Sequence, residues 1–267
     1  MNDALMPMLW AALALVCLLF LQRWIHAHLH GVSLLLVGRP EWAVIVYAVV
    51  LFPGVLLHEG SHWLAATLLG VRTGDVSLLP RRQADGTLQL GYVEYYKGPR
   101  VGPIRESLIG AAPLVAGTLI ILLIGHRVFG VTSLADAIRS GDVTILADAM
   151  AQILAVPNVL VWLYLIFAIS NAMMPSRSDR HAWPAFAVIM GVVALVVGFL
   201  GRNTPLLDNL AQPVAVLFGY LGTAFSIAIA VDLLCIGFIA LAEWALGRLR
   251  GASVVYGRST NGGETAT

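Results

Sequence analysis

Over most of this chain the apolar residues do not alternate with polar ones; they run on. Runs at roughly 8–23, 41–69, 104–125, 152–174, 182–201 and 214–247 predict six membrane spans. The last run is longer than one crossing needs, and Gly219, Gly222 and Gly237 are candidates for a break, a tilt or a second pass. Between the second and third runs the pattern changes to "VRTGDVSLLPRRQADGTLQLGYVEYYKGPR". Its "ADG" turn separates strand-like residues 76–79 from 88–96, which predicts a β-hairpin at the membrane interface. Residues 126–151 are mixed and read as partly helical, whereas the tail "YGRSTNGGETAT" has no apolar period and reads as disordered. The predicted fold class is therefore an all-α polytopic membrane protein with about six transmembrane helices and a small interfacial β-hairpin after the second span. Residues 1–40 form an N-terminal span and interfacial segment, 41–183 a membrane core, 184–250 the C-terminal helices and 251–267 the tail.

Composition sharpens this picture. Of the 267 residues 59% are hydrophobic and 12% charged, against about 25% charged in a soluble domain. Net charge is +1, so no basic surface argues for nucleic acid. Cys17 and Cys235 lie far apart in separate apolar runs and read as inert thiols, not as a zinc ribbon or a disulfide. The first run has neither a basic leader region nor an A-x-A-like cleavage site, so it reads as a retained span. With six spans and the N-terminus inside, 11 of the 16 Lys and Arg fall on the inner side. That asymmetry predicts both termini in the cytoplasm. Trp24, Trp42 and Trp183 read as interfacial anchors.

The chemistry is concentrated in "VLLHEGSHWLAA", where an apolar span carries His58, Glu59 and His62. Residues four apart share a helix face, so His58 and His62 can hold one metal ion with Glu59 beside it. Two imidazoles with a carboxylate suit Zn2+. The structural alternative is a histidine pair bonded to neighbouring helices, with Glu59 paired to an arginine. Ionisable residues inside spans are rare and usually functional, which favours the metal. The third ligand is expected from "ISNAMMPSRSDRHAW", where Pro175 ends an apolar helix and Asp179 follows on irregular backbone. The bland option there is an interfacial Asp179 paired with Arg177 or Arg180.

Together the two motifs resemble the site-2 protease family of intramembrane zinc metalloproteases. In that family H-E-x-x-H on one span is joined by an aspartate from N-x-x-P-x-x-x-L-D-G on a later one. Asn171 and Asp179 keep the family's separation, with Pro175 one place late and Ser178 and Arg180 at the leucine and glycine positions. "GVRTGDVSLL" resembles the family's strand after H-E-x-x-H, and "SLIGAAPLVAGTLI" its G-P-x-x-N span, with Pro113 kept and Ala112 and Ala116 substituted. The likeness covers about residues 45–183. It implies a membrane-embedded zinc endopeptidase, with His58, His62 and Asp179 as metal ligands. Glu59 is implied as general base and Asn171 as a catalytic residue holding the oxyanion. The implied partners are a membrane-embedded substrate protein, the lipid bilayer and a regulatory membrane subunit. The implied place is the cytoplasmic membrane of a prokaryote.

A second reading stays open: a protease-like scaffold or subunit that binds a partner helix without cutting it. A transporter using the same ligands is disfavoured because no inverted repeat is apparent. Asp232, in "AIAVDLLCIGF", is a gate or a second partner of a zinc-bound histidine, or simply packs against a polar neighbour. In "HAHLH", His26 and His30 share a helix face, and an interfacial role outweighs a second metal site.

Overall fold

The structure is a computed structural model that describes residues 2–77, 81–82, 88–89, 91–95, 102–176, 179, 184 and 206–256. Its helices are α1 (Asn2–Val37), α2 (Pro40–Leu68), α3 (Pro103–Arg127), α4 (Val131–Ser140), α5 (Val143–Leu154), α6 (Val159–Ala172) and α7 (Leu206–Arg250). α1, α2, α3 and α7 are each long and apolar enough to cross a membrane, and α5 with α6 form a bent fifth candidate. Their outward residues are apolar too. Leu13 and Phe20 on α1, Leu119 and Leu123 on α3, and Leu234, Phe238 and Leu241 on α7 are all exposed. Helices hydrophobic all round belong in a membrane. This is a helical membrane protein.

Local chemistry explains where the elements stop. The turn at Gly38, in left-handed backbone, joins α1 to α2, and Pro40 opens α2 at a position that needs no N–H. The expected fourth span, 152–174, is not one helix: α5 and α6 meet at 88°. Pro157 cannot continue α5, and Asn158 takes the left-handed conformation that an Asn tolerates best after Gly. α6 has only 14 residues, about 21 Å at 1.5 Å each. It falls short of a full hydrocarbon crossing of about 30 Å. The run at 214–247 behaves in the opposite way: α7 continues for 45 residues without a break at Gly219, Gly222 or Gly237. The expected span at 182–201 lies outside the described residues, apart from residue 184, as does the tail beyond residue 256. The part of the tail that is described folds back, with Tyr256 Oη donating to Glu243 Oε1 at 2.6 Å.

After α2 the chain forms two short antiparallel ladders. β1 (Thr73–Ser77) pairs with β4 (Tyr92–Tyr95), and β2 (Arg81–Arg82) with β3 (Leu88–Gln89). The hairpin is thus where the sequence put it, with the first strand three residues earlier and an irregularity between Thr73 and Val76.

α1 and α7 pack side by side in one direction. Trp10 lies against Gly222, His28 Nδ1 is 2.6 Å from Glu243 Oε2, and the Arg250 guanidinium donates to the Leu36 carbonyl at 2.6 Å. Successive contacts climb both helices together, so the pair is parallel. Six alternating spans make the first and last helices antiparallel, and that is the part of the expected topology the packing overturns. Two parallel spanning helices begin on the same side of a bilayer and end on the other. Parallel packing does not fit an arrangement with both termini on one side, because Arg248 and Arg250 at the end of α7 then lie opposite the start of α1. With Cys17 and Cys235 replaced by serine, single cysteines at positions 2 and 255 are expected to label from opposite faces of sealed vesicles. Labelling of both from one face would contradict the parallel packing.

Candidate metal centre

His58 and His62 lie on α2 about 15 and 9 Å from its C-terminal end, from the helical rise. Each ring is oriented by a backbone carbonyl from another helix. His58 Nδ1 is 2.6 Å from the Ala172 carbonyl of α6, and His62 Nδ1 is 2.8 Å from the Ile109 carbonyl of α3. A carbonyl only accepts, so both Nδ1 atoms carry the proton and both Nε2 atoms present lone pairs. Those Nε2 atoms converge to 3.1 Å. Asp179 joins them, with Oδ1 3.3 Å from His62 Nε2 and Oδ2 3.5 Å from His58 Nε2.

Three electron-pair donors face one another here, an arrangement that could hold a metal ion. A tetrahedral ion with bonds of about 2.0–2.1 Å sets its ligand atoms about 3.3–3.4 Å apart. The observed 3.1, 3.3 and 3.5 Å fit zinc with little movement. His58, His62 and Asp179 are also the metal-ligand group found among the described residues, their donor atoms lying within 4.8 Å of one another. The carbonyl partners of the two histidines supply the outer support that metal-binding imidazoles commonly have.

Asp179 is presented by a small reciprocal turn. Its Oδ2 accepts from the Ser176 backbone N–H at 2.6 Å, and Ser176 Oγ accepts from the Asp179 N–H at 3.3 Å. This is the capping-box exchange. It holds the carboxylate towards the histidines, although Ser178 and Arg180 replace the residues that the family resemblance leads one to expect. Glu59 is 7% exposed and within electrostatic reach of His58, His62 and Asp179.

Three glycines clear the space these groups need. A Cβ at Gly110 would collide with the Asp179 carbonyl, and one at Gly54 with the Ala168 carbonyl. A Cβ at Gly91, just before β4, would lie 2.9 Å from Glu59 Cγ and 3.1 Å from its Oε1. The hairpin therefore touches Glu59 itself.

One expected role changes, and one open alternative narrows. The Asn171 amide Nδ2 donates to the Phe167 carbonyl and to Asp232 Oδ1, both at 2.9 Å. Its donor is engaged with α7, so the oxyanion role expected of it is not what its bonding describes. Asp232 in turn meets Ser170 and Asn171, not the imidazoles, which leaves polar packing as its described role. The "HAHLH" histidines serve contacts between elements: His26 Nδ1 is 2.6 Å from Tyr47 Oη on α2, and His28 Nδ1 is 2.6 Å from Glu243 Oε2 on α7. Gln22 was overlooked. Its Nε2 donates to the Ser170 carbonyl at 2.6 Å, and its four-residue spacing from His26 on an apolar helix was the available signal.

The chain matches no protein-family model, no curated protein and no solved structure.

Gly110→Val is expected to weaken zinc binding by about 10–100-fold, the usual cost of disturbing the support of a ligand. Gly60→Ala, where a Cβ meets nothing within 4 Å, is expected to leave zinc affinity unchanged and to stabilise the helix by about 0.5–1 kcal/mol. Competition titration against a chelator on both variants measures the contrast. Equal affinities would remove Gly110 from the site.

Proposed function

We propose that this protein is an intramembrane zinc metalloprotease of the site-2 type, hydrolysing a peptide bond in or near a transmembrane segment of a substrate protein. One observation carries the reading: two imidazole lone pairs and a carboxylate converge inside a membrane helix bundle, with Glu59 next to them on the same helix. His58, His62 and Asp179 would hold the ion. Bound there, zinc supplies Lewis acidity and makes water a usable nucleophile near neutral pH.

The residues of the chain do the rest. Glu59 takes a proton from the attacking water as its oxygen bonds to the scissile carbonyl carbon. Glu59 then returns that proton to the nitrogen as the C–N bond breaks, leaving an amine and a carboxylic acid that loses its proton to solvent. Glu59 is adjacent to a ligand and is not needed as one, which leaves it free to move a proton. A substrate helix has its carbonyls already bonded and must unwind first. The β1–β4 ladder, with Gly91 against Glu59, offers an extended backbone edge beside the reacting groups. The five Lys and Arg between α2 and α3 favour a cytoplasmic position for that hairpin.

One observation favours a competing reading. With the Asn171 amide engaged by Asp232, the donor expected for an oxyanion is absent, as suits a scaffold that binds a partner helix and does not cut it. Glu59→Gln separates the two. Glutamine keeps the shape and cannot accept the proton. Loss of cleavage of single-span substrates by about 10²–10⁴-fold, with zinc content unchanged, is the expected result in reconstituted vesicles. Equal processing by wild type and Glu59→Gln refutes the enzyme reading, and a wild type that cuts nothing supports the scaffold.

A further inference from the structure

The polar contact between α6 and α7 has an incomplete proton count. Asp232 is 0% exposed and Asn171 5%. Asn171 Nδ2 donates to Asp232 Oδ1 at 2.9 Å, and Ser170 Oγ is 3.0 Å from the same oxygen. Asp232 Oδ2 and Asn171 Oδ1 are both buried without a partner among the described residues. The amide cannot be turned round to relieve this. Turned round, it would set Oδ1 against the Phe167 carbonyl oxygen, which lies 2.9 Å from Nδ2 and only accepts.

Two orphan acceptors, one on each member of a bonded pair, are what a missing proton leaves behind. We propose that Asp232 is a carboxylic acid whose Oδ2–H donates to Asn171 Oδ1, closing a two-bond acid–amide ring between α6 and α7. The ring satisfies both orphans at once. It also removes a buried negative charge that no cation balances, since no ion pair to Asp232 is present among the described residues. The titratable groups nearby are Cys235 on α7 itself and His26 on α1, whose ring bonds Tyr47 Oη. α3 places no titratable group among its buried residues.

Asp232 thereby acts as a positioning residue. Asn171 immediately precedes Ala172, whose carbonyl orients His58. A ring anchored on α7 fixes that carbonyl, and through it the imidazole. This last step rests on the metal reading above; the ring does not.

The experiment compares wild type, Asp232→Asn and Asp232→Ala in the full-length protein. An Asn at 232 donates one N–H where the acid donates O–H, so it rebuilds the ring as an amide pair. It replaces a neutral acid well and a carboxylate badly. The wild-type infrared spectrum is expected to contain a protonated carboxyl stretch that Asp232→Asn lacks. Zinc affinity is expected to stay within about twofold in Asp232→Asn and to fall about tenfold or more in Asp232→Ala. Because the infrared comparison needs only wild type and the isosteric variant, misfolding of Asp232→Ala does not spoil it. Absence of the band overturns the proposal, as does Asp232→Asn losing zinc as badly as Asp232→Ala. If the band is present and no variant binds zinc, the metal reading fails and the ring stands.

Discussion

The arrangement depends on a helix whose end is buried inside the bundle. An α-helix leaves its last four carbonyls without intrahelical partners, and in a bilayer each unsatisfied group costs several kcal/mol. α6 stops at Ala172, and three of its last four carbonyls have a hydrogen-bond partner. Ile169 accepts from the Met173 N–H at 2.8 Å. Ser170 accepts from Gln22 and Ala172 from His58. Gln22 comes from α1, and His58 comes from α2. Two side chains do here what solvent does at the end of a soluble helix.

That requirement links the fold to the site. His58 cannot cap Ala172 without showing its Nε2 to His62, and His62 is turned in the same way by the Ile109 carbonyl. Satisfying backbone acceptors and preparing metal ligands are one event. The glycines then allow the contact distances: α2 reaches the α6 backbone at Gly54, α3 reaches Asp179 at Gly110, and the hairpin reaches Glu59 at Gly91. A methyl group at any of these would separate segments whose carbonyls and ligands have to meet.

Much of this was legible in the residues. α2 and α3 fall within two residues of the expected runs, and the metal group is the one that i,i+4 spacing and a distant aspartate pointed to. The failures have physical causes. Hydropathy reads composition and not direction, so it carried on through the Pro157–Asn158 corner, and nothing in it reveals that α1 and α7 run parallel. Motif reading assigns a polar residue to the nearest chemistry, so Asn171 was given to the oxyanion, whereas its amide bonds Asp232 on α7. Ser176 supplied a turn that substitutions at 178 and 180 seemed to threaten, because a capping exchange needs only its two ends. Gly110 had no signal at all: its role is the absence of a side chain at a crossing visible only in three dimensions.

The tip of α6 therefore faces two ways. Through the Ala172 carbonyl it addresses the ligands on α2, and through the Asn171 and Ser170 side chains it addresses Asp232 on α7. α1 grips the same tip from a third direction and is itself laid along α7 from Trp10 to Leu36. A shift of α7 against α1 cannot leave that tip undisturbed, because both helices hold adjacent residues of it. The disturbance reaches His58 through a peptide carbonyl and needs no side chain between α7 and the ligands. This buried helix end is where packing on one side of the bundle becomes ligand orientation on the other.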